Sequence, residues 1–409
     1  MIILLPVHFF TDDPKNGLQT EIWNNAKNLS LLGNKIIVVT VSSDLRYHTN
    51  ISLAKIGIIL YSCHAWKSHG FSPAESLLCF LYTFIIRLRN KFDWIYIIDE
   101  VPTLFSKYKF GAKLATRLIT PKSKEVREII LSKDWQFDRS HKNEEESWQM
   151  AKPSVWHRLV GFAAYTIIPK FFNPLRLGEN AELIFCLGKD NYKYFKSKFP
   201  QAKYLPNGVE NDLIEEQKPV KRENKNRFQI LFVGRIAKRK GIFYLLQAYK
   251  KVYKLNKNTE LVIIGKGSEK LLQELVEKCG DLLNKNIYIL GEKSHREVIS
   301  YIKSCDLLVD PFIFAAFSNV ALEAAYCKTP LIAPLHGGTK DFIIENQTGY
   351  LVDARNVSIL SNKILDIINK YPEAKKIAGN AYKLVADKFT WKHIAIIINN
   401  SFNENSNLN

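Results

Sequence analysis

Phe232-Val-Gly-Arg-Ile-Ala-Lys-Arg-Lys-Gly241 joins a buried strand to an amphipathic helix and sets Arg235 and Lys240 on the loop between them. The strand side is the continuous apolar run from Gln229 to Val233. The helix side repeats apolar residues at Ile242, Leu245, Leu246, Tyr249 and Val252, a 3.6-residue period. Free backbone N–H groups at a helix start favour an anion, and two cationic side chains add full charges. The segment therefore reads as a phosphate site. The competing reading is that such loops often carry Lys and Arg that are merely solvated.

Further along, Ser304-Cys-Asp-Leu-Leu-Val-Asp-Pro-Phe-Ile-Phe-Ala-Ala-Phe-Ser-Asn-Val-Ala-Leu-Glu-Ala-Ala-Tyr-Cys-Lys-Thr-Pro-Leu-Ile-Ala-Pro334 reads as strand, loop, helix and strand. Ser318 and Asn319 are capping residues, which would leave the helix's free N–H groups facing the loop. Glu323, about one turn in, could reach a neutral polyol such as ribose; an isolated helix carboxylate is otherwise simply solvated. Strands are expected to begin at Gln229, Leu261, Asn286, Asp306 and Pro330, with helices between them.

The same alternation opens the chain. Ile2 to Val7 reads as a strand, and a helix follows with apolar Leu18, Ile22, Trp23, Ala26, Leu29 and Leu32. Gly33 caps it, and Lys35 to Val41 is the next strand. Trp94 to Ile98 and Leu183 to Leu187 are later buried strands. Between them, Lys107 to Asn180 lacks clear alternation and reads as a variable helical region. The charged stretch Glu215 to Arg227 marks a linker. The fold class is α/β, with two doubly wound, Rossmann-like domains. The expected division is residues 1–214, residues 215–388, and a terminal segment 389–409.

Length supports two domains, because 409 residues exceed the size at which one core keeps growing. Lys and Arg number 58 against 40 Asp and Glu, so the net charge of +18 suggests anionic partners. Nucleic acid is not expected among them, for there is no zinc-finger spacing, RNP-like signature or basic heptad region. The six cysteines are scattered without a Cys-x-x-Cys pair and read as buried thiols. Met1 to Phe10 lacks the basic start and cleavage site of a secretory leader. No apolar run approaches the ~20 residues of a membrane span. The cytoplasm is the expected location. Leu159 to Phe172, flanked by Trp156, His157, Arg158 and Arg176, has the composition for peripheral contact with an anionic inner membrane face, and equally that of a helix packed in a core.

Taken in order, Gly234-Arg235 with Lys240-Gly241, Gly265-Lys-Gly267, Leu290-Gly291, Asn319-Val-Ala-Leu-Glu323-Ala and Gly337-Gly-Thr-Lys-Asp341 before Gly349-Tyr-Leu-Val352 resemble the family 4 glycosyltransferases, which have the GT-B architecture. Upstream, Leu205-Pro-Asn-Gly-Val-Glu210 resembles the family's linker motif. The resemblance runs from about Tyr204 to Trp391 and fades before it. It implies a retaining hexosyltransferase-like enzyme that transfers a sugar from a nucleotide-sugar donor to a glycan or lipid-linked acceptor, in a setting such as cell-envelope polysaccharide assembly. It also implies a terminal helix that returns to brace the first domain.

Negative charge grows on the pyrophosphate as the sugar leaves, and Arg235 and Lys240 are the candidate catalytic cations for it. No Asp-x-Asp motif is present, so no metal or other cofactor is expected beyond the nucleotide-sugar co-substrate. By resemblance, donor-binding residues are Gly17, Gly234, Gly265, Lys293, Ser318, Asn319, Val320 and Glu323. Gly17 would let the backbone approach the donor phosphates, and the loop at Glu292-Lys293-Ser294 would meet the base. Glu100, at a strand end with Asp99, is the acceptor candidate, and Asp12 and Asp13 are equally placed. One departure stands out: family members carry a donor-sugar Glu eight residues before the Glu323 position, and this chain has Ala315. That substitution motivates the alternative of a non-catalytic GT-B protein that binds a nucleotide or glycan. A dehydrogenase reading rests on Gly265-Lys-Gly267 alone and lacks the third glycine, position 270 being Lys.

Overall fold

The computed structural model describes residues 1–10, 17–43, 53–62, 80–81, 83–88, 90–98, 109, 111–118, 179–224, 226–313 and 317–406. Two parallel sheets organise them. The first contains β1 (Ile2–Phe10), β2 (Lys35–Ser43), β3 (Ile58–Ser62), β4 (Trp94–Ile97), β5 (Lys113–Leu118), β6 (Leu183–Cys186) and β7 (Ala202–Tyr204), in the order β3-β2-β1-β4-β5-β6-β7. The second contains β8 (Phe228–Val233), β9 (Thr259–Ile264), β10 (Ile287–Ile289), β11 (Leu307–Val309), β12 (Leu331–Pro334) and β13 (Tyr350–Val352), in the order β10-β9-β8-β11-β12-β13. Every pairing is parallel, so helices must cover both faces and the strands read as apolar runs rather than alternations. Ile230, Leu231, Leu261, Ile263, Leu307, Leu308 and Val309 are all excluded from solvent.

In each sheet the strand order reverses once, between β1 and β4 and between β8 and β11. Crevices outside the carboxyl ends of strands at such a reversal are where open α/β sheets receive ligands. In the second sheet the register Ile230↔Leu307 and Leu231↔Leu308 brings the ends of β8 and β11 side by side. The loops that follow them carry Arg235 and Lys240 on one side and Asp310 and Ser318 on the other.

One expectation is corrected. Lys113–Leu118 lies within the stretch read as helical, yet it is a central strand paired on both sides. Its Arg117 breaks the apolar run that would announce a buried strand. The guanidinium is buried there because Glu21 Oε1, on the helix Gly17–Leu31, lies 2.6 Å from its Nε and Asn207 Oδ1 lies 2.6 Å from Nη2.

The terminal helix, Trp391–Ser406, packs on the first sheet rather than the second. Phe402 is fully buried and stacks on Trp94 with ring centroids 4.5 Å apart and planes 16° from parallel. Burial of a side chain of this size stabilises by about 1.5–3 kcal/mol. The chain thus passes between the sheets twice. The two passages meet where Val209 N donates to Phe389 O (2.7 Å) and Trp391 N donates to Val209 O (3.2 Å). Gly208 is needed at this crossing, since a Cβ would come within 2.5 Å of the Trp391 nitrogen. Cys186, Cys279, Cys305 and Cys327 are free thiols. Among the described residues no helix is long and apolar enough to cross a membrane, and the Leu159 to Phe172 run lies outside them.

Candidate functional site

The site grows from backbone packing at the ends of β8 and β9. Gly234, at φ 155°, donates its N–H to Ile264 O at 2.9 Å, and Gly265, at φ 148°, lies so close that a Cβ there would sit 1.9 Å from Gly234 O. Only glycine satisfies both the positive φ and the contact at Gly265. Ile236 N to Lys266 O, at 2.7 Å, continues the pairing beyond the strands. Gly265 therefore has a packing reason to exist, and Gly234 a backbone one, independent of any ligand.

Lys238–Lys240 form a single 3₁₀ turn, and Gly241 in the left-handed region (φ 73°) starts the helix Ile242–Leu255. A Cβ on Gly241 would fall 1.9 Å from Pro311 O, so this turn lies directly against the segment leaving β11. Ile313 N donates to Arg239 O at 3.1 Å and ties the two together. The contact sets Lys240 Nζ 3.9 Å from the centroid of Phe312 and the Arg239 guanidinium 5.4 Å from it. Cations over an aromatic face are held electrostatically. Arg235 is exposed and makes no ion pair among the described residues.

Asp310, immediately after β11, is buried. Desolvation pushes its pKa up, opposed by the charge of Lys240 and by hydrogen bonds from the Ser318 side chain and the Phe312 backbone. Ser318 caps the helix Asn319–Tyr326, its Oγ accepting from Ala321 N at 3.3 Å. Asn319 is already engaged: its Oδ1 accepts from Asn207 Nδ2 at 2.8 Å, linking the helix start to the passage between the sheets. Val320 packs against the core under that helix.

Glu323 has a partner that the sequence did not announce. His295 Nε2 lies 2.8 Å from Glu323 Oε1, and the Coulombic field of Glu323 is the largest cause raising the imidazole pKa to about 9. His295 is the first residue of the helix His295–Ser304, which Ser294 and Glu297 close with a reciprocal capping box. The Ser294-x-x-Glu297 spacing was a readable signal for that helix start, but nothing in the sequence links it to a carboxylate 28 positions later. Lys293, in the same loop, lies 3.7 Å from Glu297.

Gly234, Arg235, Lys240, Gly265, Ser318, Asn319, Val320 and Glu323 thus all follow the carboxyl ends of β8, β9 and β11, which form one edge of the second sheet, with Lys293 on the loop that follows β10. Gly17 begins a helix of the first sheet. Glu100, Asp99, Asp12, Asp13 and Ala315 lie outside the described residues. Between the sheets, Asp341 accepts from Lys189 N at 2.9 Å and interacts with Tyr204, and burial raises the pKa of both groups. Chemically, the edge offers two cations and a capped helix start to an anion, and a carboxylate to a hydroxylated neighbour.

Residues 214–384 match the family profile described as Glycosyl transferases group 1. Two solved structures align over nearly the whole chain: sucrose-phosphate synthase from Thermosynechococcus elongatus (TM-score 0.72, 19% identity, 98% of each chain) and Anabaena HepE in complex with UDP (TM-score 0.68, 15% identity, 99% of this chain and 100% of that one). The fold is GT-B. Among curated relatives, the lipopolysaccharide 1,2-N-acetylglucosaminetransferase of Salmonella typhimurium is 31% identical over 41% of this chain and 45% of its own length. The chain spans about half the length of the curated relatives it matches. In this GT-B frame the matched region coincides with the second sheet and the edge just described.

Proposed function

We propose that this protein is a retaining, metal-independent glycosyltransferase of the family 4 type, which moves a sugar from a nucleotide donor to a glycan or lipid-linked acceptor. The observation that carries the reading is the approach of the 234–241 turn to the segment leaving β11, through Gly241 and Pro311, at the reversal of strand order. Lys240 and Arg235 stand on the loop after β8, and Lys240 acts on Asp310, to which the Ser318 cap of the Asn319 helix is hydrogen-bonded, which supports a shared anion site. Fixed positive charge there stabilises a departing nucleoside diphosphate as its charge develops. Arg235 presents a planar fork and Lys240 a point charge, so the two are not interchangeable. Glu323 is the contact for the ribose hydroxyls. A front-face displacement would need no protein nucleophile and is consistent with retention. The lipopolysaccharide relative supports a role in cell-envelope polysaccharide assembly, and the basic net charge accords with peripheral contact with an anionic membrane.

The test is a thermal-shift and hydrolysis panel of UDP-, GDP-, ADP- and dTDP-sugars with the wild type and Arg235→Ala. Stabilisation by one donor class, with slow nucleotide release that Arg235→Ala abolishes, is expected. Binding without release, with or without candidate acceptors, would favour the non-catalytic reading that Ala315 motivates. No binding by any of the four would overturn the proposal.

A further inference from the structure

His295 sits where an imidazolium is poorly served by its own helix. It is the first residue after the Ser294 cap, at the positive end of the helix dipole, with Arg296 next to it. The capping box fixes the backbone there: Glu297 Oε2 accepts from Ser294 N at 2.9 Å, and Ser294 Oγ accepts from Glu297 N at 3.3 Å. The ring is held against Glu323 at 2.8 Å, with the two side chains 26% and 12% exposed. Burial and Arg296 oppose a charge on His295, while Glu323 and, from the passage between the sheets, Glu210 favour it. Cys327, which follows the helix that carries Glu323, brings no charge, for burial pushes its thiol up to about 12. The pair therefore joins the start of one helix to the middle of another through one hydrogen bond that strengthens when the ring is protonated.

We propose that His295 is a positioning residue for the donor nucleotide, its Nε2–H holding Glu323 Oε1 so that the remaining acceptor sites of the carboxylate face the ribose diol. This rests on the reading of Glu323 as the ribose contact. A carboxylate has about four acceptor sites, so one bond to His295 leaves room for both hydroxyls. Without that bond the carboxylate can turn about its own side-chain torsions and loses its fixed aim.

Binding of UDP, GDP and ADP and of their 2′-deoxy counterparts, measured by calorimetry from pH 7 to pH 10, tests this. The wild type is expected to prefer the ribo form of one nucleotide at pH 7 and to lose much of that preference as pH passes about 9. His295→Ala should weaken the ribo form about tenfold, leave the deoxy form nearly unchanged, and in turnover raise KM with little change in kcat. His295→Gln, which keeps a donor, should restore part of the preference and make it independent of pH. Equal weakening of both forms in His295→Ala, or an unchanged preference, would overturn the inference and leave the donor reading intact. A wild type that binds none of the three, or a Glu323→Gln variant that binds both forms as the wild type does, would overturn the ribose assignment and the inference with it.

Discussion

Replacing Arg117 by Met should be the most damaging single change in the first sheet outside its apolar core. The guanidinium Nε is 2.6 Å from Glu21 Oε1, and the side chains are 0% and 3% exposed. Two charges this far from water depend strongly on each other, and removing the guanidinium takes from Glu21 a cation 2.6 Å away. Breaking a buried pair in this way costs about 3–5 kcal/mol. Asn207 Oδ1 also loses its 2.6 Å donor, which adds about 1 kcal/mol or more if water does not replace it. Against a total stability of about 5–15 kcal/mol, the single variant should be close to unfolding in this region. Replacing both charges by Met should recover most of the loss, because a pair of apolar residues of similar volume removes the uncompensated charge. Amide exchange over Trp94–Ile97 and Leu183–Cys186, the strands on either side of and next to this network, reads the effect locally, where a global melt of two sheets would blur it. A loss of less than 1 kcal/mol of protection in Arg117→Met, or a double variant no better than the single one, would refute the reasoning.

Other outcomes follow from the same geometry. Gly241→Ala must force a left-handed residue and open the turn away from Pro311 O, at about 1–2 kcal/mol for the backbone alone, so both the melting temperature and nucleotide-induced stabilisation should fall. The folded-state pKa of His295 is raised from 6.5 to about 9, so its contribution to stability is complete below pH 6.5 and is lost as pH rises through 9. It is on the order of 2 kcal/mol at neutral pH. The stability difference between the wild type and His295→Gln in urea should shrink accordingly between pH 7 and pH 10. Phe402→Ala removes a fully buried ring stacked on Trp94 and should cost about 3–5 kcal/mol, read as loss of exchange protection in the first sheet. Lys240→Ala should lower turnover far more than it weakens acceptor binding, as steady-state kinetics with varied acceptor would show.

The doubly wound plan was legible because apolar period is a local property. The run from Gln229 to Val233 and the helix through Val252 stand within one to three residues of their observed bounds, Phe228–Val233 and Ile242–Leu255. What escaped depends on residues far apart in the chain. The strand through Arg117 could not be read, since its charge is tolerable only with Glu21 about a hundred positions upstream. His295 gave no hint of its partner for the same reason. The cap at Ser318 is legible from its place before an apolar helix, whereas the contact of Gly241 with Pro311 is a fact of strand order.

The stacking of Phe402 on Trp94 also bears on how the protein is made. A ribosome delivers Trp94 about 300 residues before Phe402, and at 5–20 residues per second that interval lasts roughly 15–60 s. Near its end, once Val352 has been made, the second sheet can close on itself while the earlier-synthesised one still has a bare aromatic face. The half of the molecule translated first is therefore finished last. In that window a chaperone, or a neighbouring nascent chain, would find Trp94 and its surroundings uncovered.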